Sequence, residues 1–448
     1  MRTFGLHPRR SFLQRLLAWP ALAAPKRAPL PKPRFYWGVG IENTWMAQTD
    51  PAKDGQRRLL DVYLQMQHYD HWKQDLDLLA ATGVNAIRYS VPWYRAEPKP
   101  GVYDWSWIDK PVDYLVNKLK IIPIMDLMHY GTPTWMLNGV GDPRFAESIG
   151  RYAGAMATHF KGLVNHYSPQ NEPGLTCILC GLTGRWPPYQ KGVDSWARIG
   201  VQVAKAMVLE TWAIRAAIPD SVIVSVDPWF WEEVDGFLPK PADPELRRAA
   251  AAFPASLAYG KVKSGHPLAA FLEQHGANAR EIAWFVRNHA TPDILGYNYY
   301  PDIHDYHQFG DFTRHGSLPL EQAAKEAATL VGKGIRDAHA YFNLPTYLTE
   351  TSAGLADASK VAYINALCDL TQQLRQEGLP FAGINWWPLF DSIQWDYREK
   401  FDKPLKPFIY KGGWNNGLYV IGKAPGDELP RVKTPAVDAW RAGGIRFT

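Results

Sequence analysis

The sequence predicts an α/β protein built as a single (β/α)8 barrel with elaborated βα loops. Three observations lead there. Short apolar runs alternate with helical patterns from residue 35 onward, there are eight of them, and most end on a residue able to do chemistry. Parallel strands joined by right-handed helical crossovers close into a barrel when eight units are present, and functional groups then collect at the carboxyl ends of the strands. A length of 448 residues fits one such barrel with insertions, since these folds run from about 250 residues to beyond roughly 400.

The first strand is expected over 35–41, ending at Glu42 and Asn43. The spacing of Trp72, Leu76, Leu79 and Ala80 predicts a helix over 71–82, closed by Gly83. A strand over 84–90 carries Arg88 near its end. A helix over 108–118 leads to a strand at 121–127, followed by Met128, His129 and Tyr130. A helix over 145–160 precedes the apolar run 162–167. Next comes Ser168-Pro169-Gln170-Asn171-Glu172-Pro173, where Pro173 ends the run and leaves Glu172 at a strand tip.

The second half repeats the rhythm. A helix over 196–217 leads to the strand 221–227, ending in Asp227. A largely helical insertion at about 236–290 precedes the strand 293–300, which contains Asn298 and Tyr300. A helix over 320–342 leads to Pro345-Thr346-Tyr347-Leu348-Thr349-Glu350, and a helix over 361–376 to the strand 381–387, ending in Trp387.

Two carboxylates on two strand tips are what glycosidic bond cleavage requires, because one protonates the leaving oxygen while the other attacks or activates water. Glu172 and Glu350 are therefore the candidate pair. Arg88 is expected beside Glu350, where a cation favours the ionised carboxylate, and the Tyr300 hydroxyl is placed to hydrogen-bond it. Asn171 can both donate to and accept from a sugar hydroxyl, and His129 is a further candidate ligand for sugar.

Composition excludes several classes. Residues 1–34 form a separate basic leader with eight Arg and Lys and no acid, leaving 41 basic against 44 acidic side chains over 35–448. The folded body is thus mildly acidic, and nothing in it reads as a nucleic-acid surface. No run approaches the roughly 18 apolar residues of a membrane span. The leader reads either as a disordered basic segment, with a cytoplasmic protein behind it, or as a weak signal peptide and a secreted or periplasmic one. Cys177 and Cys180 have the spacing of half a zinc site, but no second pair accompanies them, so reduced thiols in a loop are expected. The 19 Trp residues offer flat apolar faces suited to sugar rings.

On these residues the chain resembles the retaining β-glycosidases of glycoside hydrolase family 1, within the wider clan A of TIM barrels. Asn171-Glu172-Pro173 matches the acid/base motif on strand 4. Leu348-Thr349-Glu350-Thr351-Ser352-Ala353-Gly354 matches the nucleophile motif on strand 7 more loosely. Trp37-Gly38, Arg88-Tyr89-Ser90, His129, the stretch containing Asn298 and Tyr300, and the stretch from Trp387 to Gln394 and Trp395 complete the series over roughly 35–420. The resemblance implies Glu172 as acid/base and Glu350 as nucleophile, about 5 to 5.5 Å apart. It implies sugar contacts from Glu42, Arg88, His129, Asn171, Asn298, Tyr300, Trp387, Gln394 and Trp395, a carbohydrate substrate, and no metal or organic cofactor.

Two departures stand out. The family's Gln after strand 1 is replaced here by the stretch Glu42-Asn43-Thr44-Trp45, and its Glu before the last motif Trp by Gln394. A pocket built to hydrogen-bond particular hydroxyls discriminates strongly against analogues lacking them, so the glycone is expected to differ. Two other readings stay open. One is a transglycosidase with an acceptor site near Trp229-Phe230-Trp231; the other is a non-catalytic sugar-binding barrel.

Overall fold

The computed structural model describes residues 32–49, 57–229, 243–301, 318–353, 356–393, 413–422 and 429–448. Eight parallel strands close a barrel: β1 (Tyr36–Ile41), β2 (Ala86–Ser90), β3 (Ile122–Asp126), β4 (His166–Ser168), β5 (Val222–Asp227), β6 (Ile294–Asn298), β7 (Thr346–Thr351) and β8 (Phe381–Trp386). Each pairs with its sequence neighbours, and β1 meets both β8 and β2. These strands are buried on both faces, which is why they read as near-continuous apolar runs rather than alternating ones.

Crossover helices surround the strands: α1 (His68–Ala81), α2 (Phe145–His159), α3 (Val193–Ala217), α4 (Leu320–Phe342) and α5 (Asp357–Gln376). Tyr36, Ala86, Ile122, Ile124, Val224, Ile294 and Tyr347 fill the barrel interior below the strand ends. A floor of packed side chains confines polar chemistry to the carboxyl-terminal mouth. Among the described residues no helix is long and apolar enough to cross a membrane.

The differences from expectation are local. The helix expected over 108–118 is a short α-helix, Asp109–Asp113, running into a π-helical segment, Tyr114–Leu119. The strand before Glu172 ends at Ser168, and Pro173 opens a short helix, Pro173–Cys177, where its missing N–H costs nothing. Cys177 and Cys180 are buried free thiols on that helix and the π-helical segment after it, not in a loop. The antiparallel hairpin of Trp45–Thr49 with Arg57–Asp61 is an addition to the expected elements. The insertion is helical over its described part, with helices Pro244–Ala251, Ala255–Ala258, Pro267–Gln274 and Ala279–Phe285. The basic leader up to residue 31 lies outside the described residues.

A last helix, α6 (Pro435–Ile445), seals β1 from outside. The Trp440 and Trp37 rings stack at 4.0 Å, and Gly443 and Gly444 lie so close to Trp37 that a Cβ at either would come within 2.9 Å of the indole. Truncating the fully buried Trp440 to Ala removes that stack and leaves a cavity. The expected cost is about 3–5 kcal/mol in urea unfolding; a loss below about 1 kcal/mol would show that α6 is not part of the cooperative barrel.

Candidate active site

Arg88 is at the centre of the mouth. β2 turns its side chain into the barrel, where the guanidinium is fully buried and can only donate. One nitrogen, Nη1, binds Glu350 Oε1 from β7 and lies 3.2 Å from Glu42 Oε1 after β1. The other, Nη2, donates to Asn171 Oδ1 at 3.0 Å and lies 3.4 Å from Asp126 Oδ2 on β3. One planar cation thus ties together residues carried by four barrel strands and the segment after β4. Burial alone would raise the Asp126 pKa, but His129, Arg88 and Ser90 together hold it below the usual carboxylate range.

These contacts fix proton positions further out. Because Arg88 claims Oδ1 of Asn171, the Asn171 amide nitrogen faces His129 Nε2 at 3.4 Å. That ring nitrogen accepts, so Nδ1–H of His129 donates to Asp126 Oδ2 at 2.7 Å. Asn171 therefore spends its acceptor on Arg88 and keeps one amide hydrogen for a ligand. Arg88, Asp126, His129 and Asn171 form a connected network in which every bond has one allowed direction.

The two glutamates have unlike surroundings. Glu350 accepts from Arg88 on one oxygen and from the Tyr300 hydroxyl on the other, at 2.6 Å. Among the described residues Glu172 receives no ion pair. Asn298 Nδ2 donates to its Oε1 at 2.8 Å, the Tyr130 hydroxyl donates to its Oε2, and Thr349 fixes the Asn298 amide by donating to Oδ1 at 2.7 Å. Burial, and then the charge of Glu350, push Glu172 up to about 7, against the lowering effect of Tyr130, Asn298 and Arg88. Its backbone is held by a bond from Glu172 N to Val226 O of β5 at 2.9 Å, and it adopts a left-handed φ of 43°.

Glu42 is the least satisfied member. Its side chain is buried, its oxygens make no well-formed hydrogen bond among the described residues, and burial raises its pKa well above the ordinary value despite Arg88. The Trp387 indole lies beside it. Both pack onto Gly40, where a Cβ would fall 2.2 Å from the Glu42 carboxylate. Trp387 also meets Tyr300 edge to face, at 5.8 Å and 74°.

Glu42, Arg88, His129, Asn171, Glu172, Asn298, Tyr300, Glu350 and Trp387 thus converge on one mouth. Gln394 and Trp395 lie outside the described residues. Trp229 is not an acceptor platform: it is buried, donates to Gly296 O at 3.1 Å and packs on Phe342, while Phe230 and Trp231 lie outside the described residues. Two participants, Asp126 and Tyr130, escape sequence reasoning, and the contact that Asp227 makes from its strand end does too. Asp126 and Asp227 are visible in sequence only as strand-end acids, and Tyr130 only as the residue after His129. Asp227 accepts from Gly174 N at 3.1 Å and so steadies the helix that begins just after Glu172.

The raised Glu172 also has a consequence for stability. An acid whose folded pKa exceeds its unfolded value binds its proton more tightly when folded, so its contribution declines as pH rises from about 4.5 through about 7. Glu172→Gln removes that decline. The variant's stability gain over the parent in urea unfolding is expected to be larger at pH 8 than at pH 5, and an equal gain at both would contradict a raised carboxyl.

Comparison with known proteins agrees with this fold. The model of glycosyl hydrolase family 1 matches residues 40–227, from the end of β1 to the end of β5. A 1,4-beta-D-glucan glucohydrolase of Thermotoga neapolitana is 21% identical over 373 residues, covering 75% of this chain and 84% of that protein. Beta-glucosidase 47 of Arabidopsis thaliana is 34% identical over 131 residues, covering 28% of this chain and 24% of that protein. Among solved structures, the family 1 b-glucosidase from Thermotoga maritima in complex with isofagomine lactam superposes with a TM-score of 0.65 at 17% identity, over 94% of this chain and 98% of that one. The barrel, the ordered strand-end residues and these likenesses together make the chain similar to the β-glycosidases of glycoside hydrolase family 1.

Proposed function

We propose that the protein is a retaining β-glycosidase that removes a terminal sugar from a glycoside by double displacement. The observation that carries this reading is the electrostatic asymmetry of the pair: Glu350 has a guanidinium and a phenol, while the donors to Glu172 among the described residues are neutral. In the first half-reaction a Glu350 oxygen bonds to the anomeric carbon as the bond to the aglycone oxygen breaks, and Glu172 gives that oxygen its proton. In the second, water attacks the same carbon, passes a proton to the Glu172 carboxylate and frees Glu350. A network that locks Arg88, Asn171 and His129 before substrate arrives supports pre-organised binding of the glycone.

Names of relatives suggest a β-glucoside, but the stretch Glu42-Asn43-Thr44-Trp45 departs from the family's pattern after strand 1, so the glycone is a matter for experiment. A panel of aryl β-glycosides, including deoxy, pentosyl, uronic and 6-phospho sugars, tests the reading with Glu350→Gln beside the parent. Turnover by the parent and none by the variant is expected. Because Glu172 must be protonated to act, kcat/KM should fall as pH rises through about 7. Glu172→Ala should slow substrates with poor leaving groups far more than activated aryl glycosides. Equal losses on both would contradict the acid role, and tight glycan binding without turnover would favour a binding module.

A further inference from the structure

Glu172 has its oxygens held by two different kinds of partner. Asn298 Nδ2 is a fixed donor, because Thr349 occupies the amide oxygen, and an N–H cannot turn into an acceptor. Oε1 is therefore always an acceptor. The Tyr130 hydroxyl at Oε2 can donate to a carboxylate or, after rotating, accept from a carboxylic acid.

The backbone supports a purposeful placement. Tyr130 has φ 77° and Glu172 φ 43°, so both ends of this contact lie in the left-handed region, which non-glycine residues avoid and which concentrates at functional sites. The Tyr130 ring is clamped edge to face between His129, at 4.9 Å, and Trp186, at 4.8 Å, and the residue is almost fully buried. Its hydroxyl has little freedom except to rotate.

We infer that Tyr130 is a positioning residue that confines the catalytic proton of Glu172 to Oε2 and sets the pH at which that proton is lost. The inference rests on reading Glu172 as the acid/base. When Glu172 is the acid, Oε2–H donates to Tyr130 until the proton leaves for the glycosidic oxygen; Tyr130 then turns and donates to the carboxylate left behind. When water later returns a proton to Oε2, the hydroxyl turns back. The phenol keeps its own proton throughout, so the proton count is that of the two glutamates and water alone.

The groups facing Glu172 among the described residues are Glu350 from β7, Arg88 from β2, Asn298 and Tyr300 from the end of β6, Asp227 from β5, and Tyr130 beside His129 after β3. Tyr130→Phe keeps the ring and removes only the hydroxyl. Losing a donor makes the carboxylate harder to form, so the basic limb of kcat/KM should move up by about one pH unit. A titration of the Glu172 carboxyl carbon by NMR, in protein labelled at glutamate Cδ and assigned with Glu172→Gln, should move equally and needs no turnover. Installing 3-fluorotyrosine at position 130, a stronger donor in the same ring, should move both the other way. An unmoved limb and midpoint, with only a change in melting temperature, would overturn the inference. Absence of turnover by the parent protein would overturn the glycosidase reading instead, and the carboxyl titration would still decide whether Tyr130 tunes Glu172.

Discussion

Everything at the mouth of the barrel depends on burying one guanidinium. Arg88 has no exposure, and a cation in that position survives only if it is paired and hydrogen-bonded, because desolvation costs several kcal/mol per ion. Its partners come from β1, β3, β7 and the segment after β4, so the cation also acts as a strap across the open end. Three carboxylates around one Arg cannot all ionise cheaply. The strain falls on Glu42, which is buried without a well-formed hydrogen bond among the described residues, and whose carboxyl is accordingly pushed toward its neutral form.

That division of charge separates the roles of the two glutamates. Asn298 on β6 is in register with Glu350 on β7 and its amide donates to Glu172, so Glu172 meets a neutral donor there rather than a second cation. Replacing the Asn298 amide with a Lys would place an ammonium against Glu172 and remove the asymmetry. The same wall of neutral donors allows Glu172 to alternate between acid and base, since neither form leaves a buried charge with an unsatisfied partner.

Much of this was legible in the sequence, for a physical reason. Strands buried on both faces must be apolar along their length, and a barrel must put its polar residues at their carboxyl ends. Glu172, Glu350, Arg88 and Tyr300 could therefore be found by reading the residues at the end of each apolar run. Tyr130 could not, because its direction depends on a left-handed backbone at a residue that ordinarily avoids it, and nothing in the letters encodes that turn. The same holds for the role of Asp227, which reaches Gly174 across the strand order, and for the hairpin at Trp45–Thr49, whose pattern is too short and polar to stand out. Trp229 misled in the opposite direction: an aromatic cluster after a strand looks like a ligand platform, yet its first member is core.

The central claim is that Glu350 forms a covalent bond to sugar. The most direct measurement is mass spectrometry after incubation with aryl 2-deoxy-2-fluoro-β-glycosides. Loss of the 2-hydroxyl weakens transition-state hydrogen bonding, so a reactive leaving group lets the first step proceed while the second stalls. The prediction is one added sugar mass per chain, on the peptide that contains Glu350. A chain left unlabelled while hydrolysing the parent glycosides, or labelled on another carboxylate, would contradict a Glu350 nucleophile.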